Sequence, residues 1–130
     1  MKIKIKLYVG ICILIYCISC TQNPDINFNK ERWIKDFNGC LGYRKDIYEE
    51  ILNQKEKLLG VSSKKIIKTI GKPHINELYQ RNQKFFVYQI SNARSCETPV
   101  DSTELYLIIR FNALELATEI YINDNSSPTD

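Results

Sequence analysis

Residues 71–91, GKPHINELYQRNQKFFVYQIS, contain the point at which the chain changes its period. Upstream, VSSKKIIKTI (61–70) sets Ile66, Ile67 and Ile70 on one side of a helix. Ser62 is the expected N-cap, Lys64, Lys65 and Lys68 face outward, and Gly71 with Pro73 forms the stop. Beyond residue 76 the apolar residues recur every second position instead, the spacing of a strand. Strands are predicted over Glu77–Arg81, Lys84–Ser91, Glu104–Phe111 and Leu116–Ile122. Asn82 and Gln83 make the first turn, residues 91–103 a longer loop carrying Cys96, and residues 112–115 the last turn. A further amphipathic helix is predicted from Arg44 to Leu59, with Ile47, Ile51, Leu58 and Leu59 apolar and Gly60 closing it. Two helices followed by a three- to four-stranded antiparallel meander make an α+β domain of two layers, helices on one face.

Alternation assigns the faces. Leu105, Leu107, Ile109 and Phe111 point to the core, with Phe86, Tyr88 and Ile90 beside them. On the last strand Leu116, Thr118, Ile120 and Ile122 go inward by the same rule, leaving Ala117, Glu119 and Tyr121 outside. The opposite face then presents Phe85, Val87, Tyr106, Ile108, Arg110 and Tyr121, an aromatic, aliphatic and Arg mixture suited to binding a partner. Its other use is to be covered by the arm of residues 30–43, whose Trp33, Ile34 and Phe37 need somewhere to pack.

The N-terminus is read from its own chemistry. Lys2, Lys4 and Lys6 precede an uncharged, largely apolar stretch, Leu7–Ile18, and Ser19 stands before Cys20. This is the layout of a secretory signal over residues 1–19. Twelve residues reach only ~18 Å as a helix, against a hydrocarbon core of ~30 Å. Cys17-Ile-Ser-Cys20 has redox or metal spacing, but no strand leading into a helix N-terminus surrounds it. C-I-S-C resembles the lipobox of bacterial lipoproteins, with Ser19 in the small position and Cys20 as the acylated residue. Cys17 stands where that pattern has an aliphatic residue. Residues 20–29 then form a lipidated tether, residues 30–122 the domain and residues 123–130 a loose tail.

Without the leader the composition changes. The formal charge of +3 includes Lys2, Lys4 and Lys6, so a mature chain from Cys20 is neutral. Nucleic acid binding is not expected of it, because that footprint is an excess of positive charge on one surface. Two cysteines, Cys40 and Cys96, remain in the globular part, and an oxidising compartment favours one disulfide; two buried free thiols are the alternative.

Catalytic constellations are poor. His74 is the single histidine, Glu49 and Glu50 are adjacent on a helix and diverge, and no zinc set is present. No cofactor, metal or small-molecule substrate is inferred, and an enzyme, as a small hydrolase or thiol enzyme, is the least favoured class. Lys64, Lys65, Lys68 and Lys72 allow a second reading, attraction to anionic lipid.

Residues 58–122 resemble the BamE-like (SmpA/OmlA-type) outer-membrane lipoproteins. The likeness is carried by Gly60 and Ser62 at a helix start, Gly71-Lys72-Pro73 at its stop, Tyr88 in an aromatic strand and Phe111 at a strand end. His74 and Asn112 replace the Asp of that pattern, and WIKDFNGCLGYR (33–44) has no counterpart in it. The resemblance implies a non-catalytic envelope lipoprotein, anchored by lipid in the outer membrane and facing the periplasm. It implies an accessory module in outer-membrane assembly or integrity, with an envelope protein as partner.

Overall fold

The computed structural model describes residues 23–99 and 102–124. The elements are α1 (Lys30–Lys35), α2 (Tyr43–Asn53), a 3-10 turn at Lys55–Lys57, α3 (Ser63–Ile70), β1 (Ile75–Tyr79), β2 (Gln83–Ser91), β3 (Leu105–Phe111) and β4 (Ala117–Asn123). The strands form one antiparallel sheet in the order β1-β2-β3-β4, an uninterrupted meander. The domain is α+β, as the change of period requires.

The inner sheet face and the helices share one core. Phe86, Tyr88 and Ile90 of β2, Leu107, Ile109 and Phe111 of β3 and Ile120 of β4 meet Trp33, Ile47, Ile51, Leu58, Ile66 and Ile70. Phe86 and Phe111 pack edge to face at 4.6 Å. Ile67 is only half-buried at the margin of this core, and Thr69 takes a buried place on α3. The β2 and β3 assignments therefore hold, because every inward position there is apolar and the ladder register is regular between Lys84 and Gln89.

Strand β4 departs from the expected phase. Arg110 pairs with Glu119 but Phe111 pairs with Ala117, so one residue, Thr118, is extra on β4. Such a bulge reverses the alternation behind it. Ala117 is buried in the core and Thr118 is exposed, the opposite of the assignment by simple alternation, while Ile120, Ile122 and Tyr121 keep theirs. Thr118 Oγ1 donates to the Arg110 carbonyl at 3.2 Å, which occupies a backbone acceptor at the irregularity.

Other boundaries move for local reasons. The helix expected to run to Leu59 stops at Asn53. Gln54 is held by the chain before α1, its Oε1 accepting from the Asn27 N–H at 2.9 Å and its Nε2 donating to the Asn27 carbonyl at 2.8 Å. Leu58 still reaches the core through the 3-10 turn. Ser62 occupies the N-cap position of α3 in an extended conformation but makes no capping bond with its side chain. Ser63 instead donates to the Glu115 carboxylate at 2.6 Å, and its N–H to the Glu115 carbonyl at 2.9 Å. Strand β1 begins two residues early, because the His74 N–H already donates to the Val87 carbonyl. The first turn is Gln80–Asn82, with Arg81 and Asn82 at positive φ, and Gln83 belongs to β2.

The segment expected to be a tether is partly structure. Ile26 is buried in the core, Phe28 packs edge-on against Trp33 at 6.3 Å, and Lys57 Nζ donates to the Asp25 carbonyl. Asn29 caps α1, a helix that periodicity does not show, by accepting the Arg32 N–H at 3.1 Å. At the other end Asn123 belongs to β4.

Candidate functional site: the outer sheet face and the arm

On the outer face the register aligns three cross-strand rows. Ile75, Val87, Ile108 and Tyr121 form one, Glu77, Phe85, Arg110 and Glu119 the next, and Gln89, Tyr106 and Asn123 the third. The six residues expected to share this face do share it. Phe85, Val87, Tyr106 and Ile108 form a second cluster, with Ile75 and Tyr121 packed on its margin.

The face does not meet solvent as alternation suggests. Val87 and Ile108 are 0 % exposed, and Phe85 and Tyr106 are buried as well. They form a small cluster of their own on the central strands, and Tyr79 stands edge-on to Phe85 at 6.2 Å. Arg110 and Tyr121 are the members that reach solvent. Arg110 bridges the Glu119 carboxylate and the Gln83 side-chain carbonyl, each at 3.1 Å. Burial, helped by the Glu119 charge, pushes the Tyr121 hydroxyl above its usual range.

Nor does the arm cover this face. Trp33 packs in the inner core, tilted against Tyr88 at 6.2 Å, while Ile34 and Phe37 are exposed. Every buried apolar side chain of the described helices belongs to the inner cluster.

The arm is held by polar burial. Asp36 is buried and its carboxylate accepts the N–H of Leu41 at 2.8 Å and of Arg44 at 3.1 Å. Arg44, also buried, donates Nε to the Trp33 carbonyl and Nη1 to the Gln89 carbonyl, both at 3.0 Å, joining arm to sheet. Its guanidinium lies 4.6 Å from the Trp33 ring centre and 5.5 Å from that of Phe37. Desolvation lowers its pKa to about 10, although Asp36 opposes the shift. Gly39 sits where a Cβ would stand 3.0 Å from the Ile90 carbonyl oxygen, with φ at +69°, so this contact with β2 requires glycine.

Cys40 and Cys96 are bonded, their α-carbons 5.6 Å apart, which fastens the arm to the loop after β2. The two thiols are thereby unavailable as nucleophiles. His74 is exposed and stacks at 5.1 Å on Phe37, and Glu49 accepts from the Tyr48 hydroxyl rather than converging with Glu50. Tyr88 donates its hydroxyl to the Gly71 carbonyl at 3.0 Å, and burial raises its pKa steeply. Of the four lysines, Lys64, Lys68 and Lys72 are exposed and Lys65 is half-buried and engaged.

Sequence reasoning passed over Asp36 and Arg44. The visible signal was an acid and a base eight positions apart, with Gly39 and Gly42 between them and the one tryptophan ahead. Among the described residues no group of three or more His, Cys, Asp or Glu is placed to hold a metal ion, and no helix is long and apolar enough to cross a membrane. Cys20 lies outside the described residues. Compared with known family models, curated proteins and solved structures, the chain matches none of them.

Proposed function

We propose that this chain is a non-catalytic lipoprotein of the cell envelope, anchored through Cys20 and acting as an accessory, protein-interaction module in the manner of the BamE-like group. The observation that supports this most is the Cys40–Cys96 disulfide joining arm and sheet. Stable disulfides belong to exported proteins, and a basic, apolar, small-then-Cys leader is the chemistry of export. The packing of Ile26 adds a consequence. Only residues 21–25 separate Cys20 from the core, and six extended steps span at most ~20 Å. The domain of an acylated protein is therefore held close to the bilayer, on this reading the periplasmic side of the outer membrane.

Partner contact is assigned to the solvent-reaching part of the outer face, Arg110 and Tyr121, carried on the buried rows of Phe85, Val87, Tyr106 and Ile108. Anionic lipid at Lys64, Lys68 and Lys72 is the second reading, supported by the exposure of all three on α3 and just past its end. Labelling cells with a fatty-acid analogue tests the anchor. Cys20→Ala should abolish label and leave uncut precursor, and Cys17→Ala should change neither; persistent label in Cys20→Ala would defeat the anchor. Crosslinking in cells tests the module: Arg110→Ala with Tyr121→Ser should lose a captured envelope protein at unchanged abundance.

A further inference from the structure

The end of α1 and the end of α3 enclose a depression of about 300 Å³, lined by Ile34, Phe37, Arg44, Gly71 and Lys72. Its walls are apolar, and Gly71 contributes backbone alone, where an added Cβ would stand 3.4 Å from the Ile34 side chain. Two cations enter this lining. Lys72 is exposed at the rim, while Arg44 is buried, with its Nε and Nη1 bonded to carbonyl groups of Trp33 and Gln89. Among the described residues Nη2 has no hydrogen-bond partner and is not one of the fully enclosed unpartnered atoms, so it is the guanidinium nitrogen left open to a ligand.

A buried cation with a donor to spare favours an anion. Asp36 is the neighbouring carboxylate, but it accepts from the backbone N–H groups of Leu41 and Arg44. The lowered pKa of Arg44 agrees that its charge is incompletely compensated. Beside that charge, Ile34 and Phe37 offer exposed apolar surface where a purely ionic ligand would find no use for it.

We propose that this depression binds an amphiphile carrying one anionic head, a carboxylate or a phosphate, with the head between Arg44 and Lys72 and the apolar chain against Ile34 and Phe37. The site is built from described residues only and does not depend on the lipid anchor.

Trp33 supplies the readout. It is the chain's single tryptophan, and its ring lies under the Arg44 guanidinium, so an anion arriving at Arg44 alters its emission. The purified full-length protein is titrated with octanoate, octyl phosphate, octan-1-ol and inorganic phosphate, the first two resolving which head is preferred. At least one of the two anionic amphiphiles should give a saturable change, with the alcohol and inorganic phosphate about tenfold weaker or worse, the loss of one charge-assisted contact or of the chain. Lys72→Gln, an exposed change, should weaken the preferred amphiphile by about tenfold with an unaltered melting temperature. Equal binding of octan-1-ol would overturn the head site. So would an affinity indifferent to Lys72→Gln, or no saturable response to either anion.

Discussion

The two ends of the sheet are finished by different physics. At one end, where β2 runs out at Gln89–Ser91, the arm is fixed by a buried Asp, a buried Arg, a glycine in contact with backbone and a disulfide. At the other end the β1–β2 hairpin is fixed by register and by a three-residue turn, with Leu78 and Tyr79 left exposed. The arm end is therefore specific and costly to disturb, since each polar group there has been taken out of water and must keep its partner. The hairpin end has little to lose.

That difference sets the order of expected effects. Arg44→Ala should be the most damaging single change, because it leaves the Trp33 and Gln89 carbonyl groups without their donor and empties the buried space the side chain fills. Each buried group so orphaned costs about 1 to 3 kcal/mol. Chemical denaturation should show this loss with an unchanged slope if the domain stays two-state. If Arg44→Ala instead costs no more than an exposed substitution, the arm is not held by its polar groups and the contrast fails.

Cys40→Ser comes next. Cross-linking residues 56 apart constrains the unfolded chain, and native disulfides contribute about 2 to 4 kcal/mol. The oxidised protein should melt higher than the Cys40→Ser variant. It should also resist alkylation until reduced. A variant as stable as the parent would mean that Asp36, Arg44 and Trp33 hold the arm unaided.

What was legible in the sequence follows the same division. The helices and strands that bury apolar side chains were readable, because apolar spacing is the signal itself: Ile47, Ile51, Ile66 and Ile70 on the helices, Leu107, Ile109 and Phe111 on β3. Thr118 was not, since a bulge inserts one residue without altering composition, and it reversed Ala117. Helix α1 was not, because its six residues turn only Trp33 inward. The Asp36–Arg44 joint was hidden for a deeper reason. Charged residues are read as surface, and only the fold shows that their partners are backbone groups. The outer face is legible for membership, but its burial without the arm is not, because alternation gives sides and not cover.

Between the two ends in expected size stands the tie at Glu115. The Ser63 hydroxyl and then the Lys84 ammonium hold its carboxyl below the ordinary value of 4.5. A carboxyl lowered in the folded state stabilises above its unfolded pKa, and that contribution disappears as pH falls through the folded one. The side chain is solvent-exposed, so the effect is screened and small. Glu115→Gln should lower the melting temperature slightly at neutral pH and should flatten its decline below about pH 4.5. An identical acid limb in parent and variant would show that Ser63 and Lys84 do not favour the ionised form.

The smallest effect belongs to the hairpin, and its sign is informative. Arg81 is held at φ +60° and Asn82 at +58°. A left-handed conformation costs an ordinary L-residue about 1 kcal/mol or more, and asparagine less. Arg81→Gly removes that cost, but glycine also frees the unfolded chain, which destabilises by about 0.4 to 1 kcal/mol. The two nearly cancel, so the melting temperature should move by no more than a degree or two. Arg81→Val separates the terms. A β-branched residue keeps the unfolded chain stiff and resists positive φ most, so only its native-state cost beyond the one Arg81 already bears remains, a small loss of stability. Valine and glycine behaving alike would mean that the turn relaxes out of the left-handed region at no cost. The hairpin end would then be held by the β1–β2 ladder alone, making the contrast with the arm sharper still.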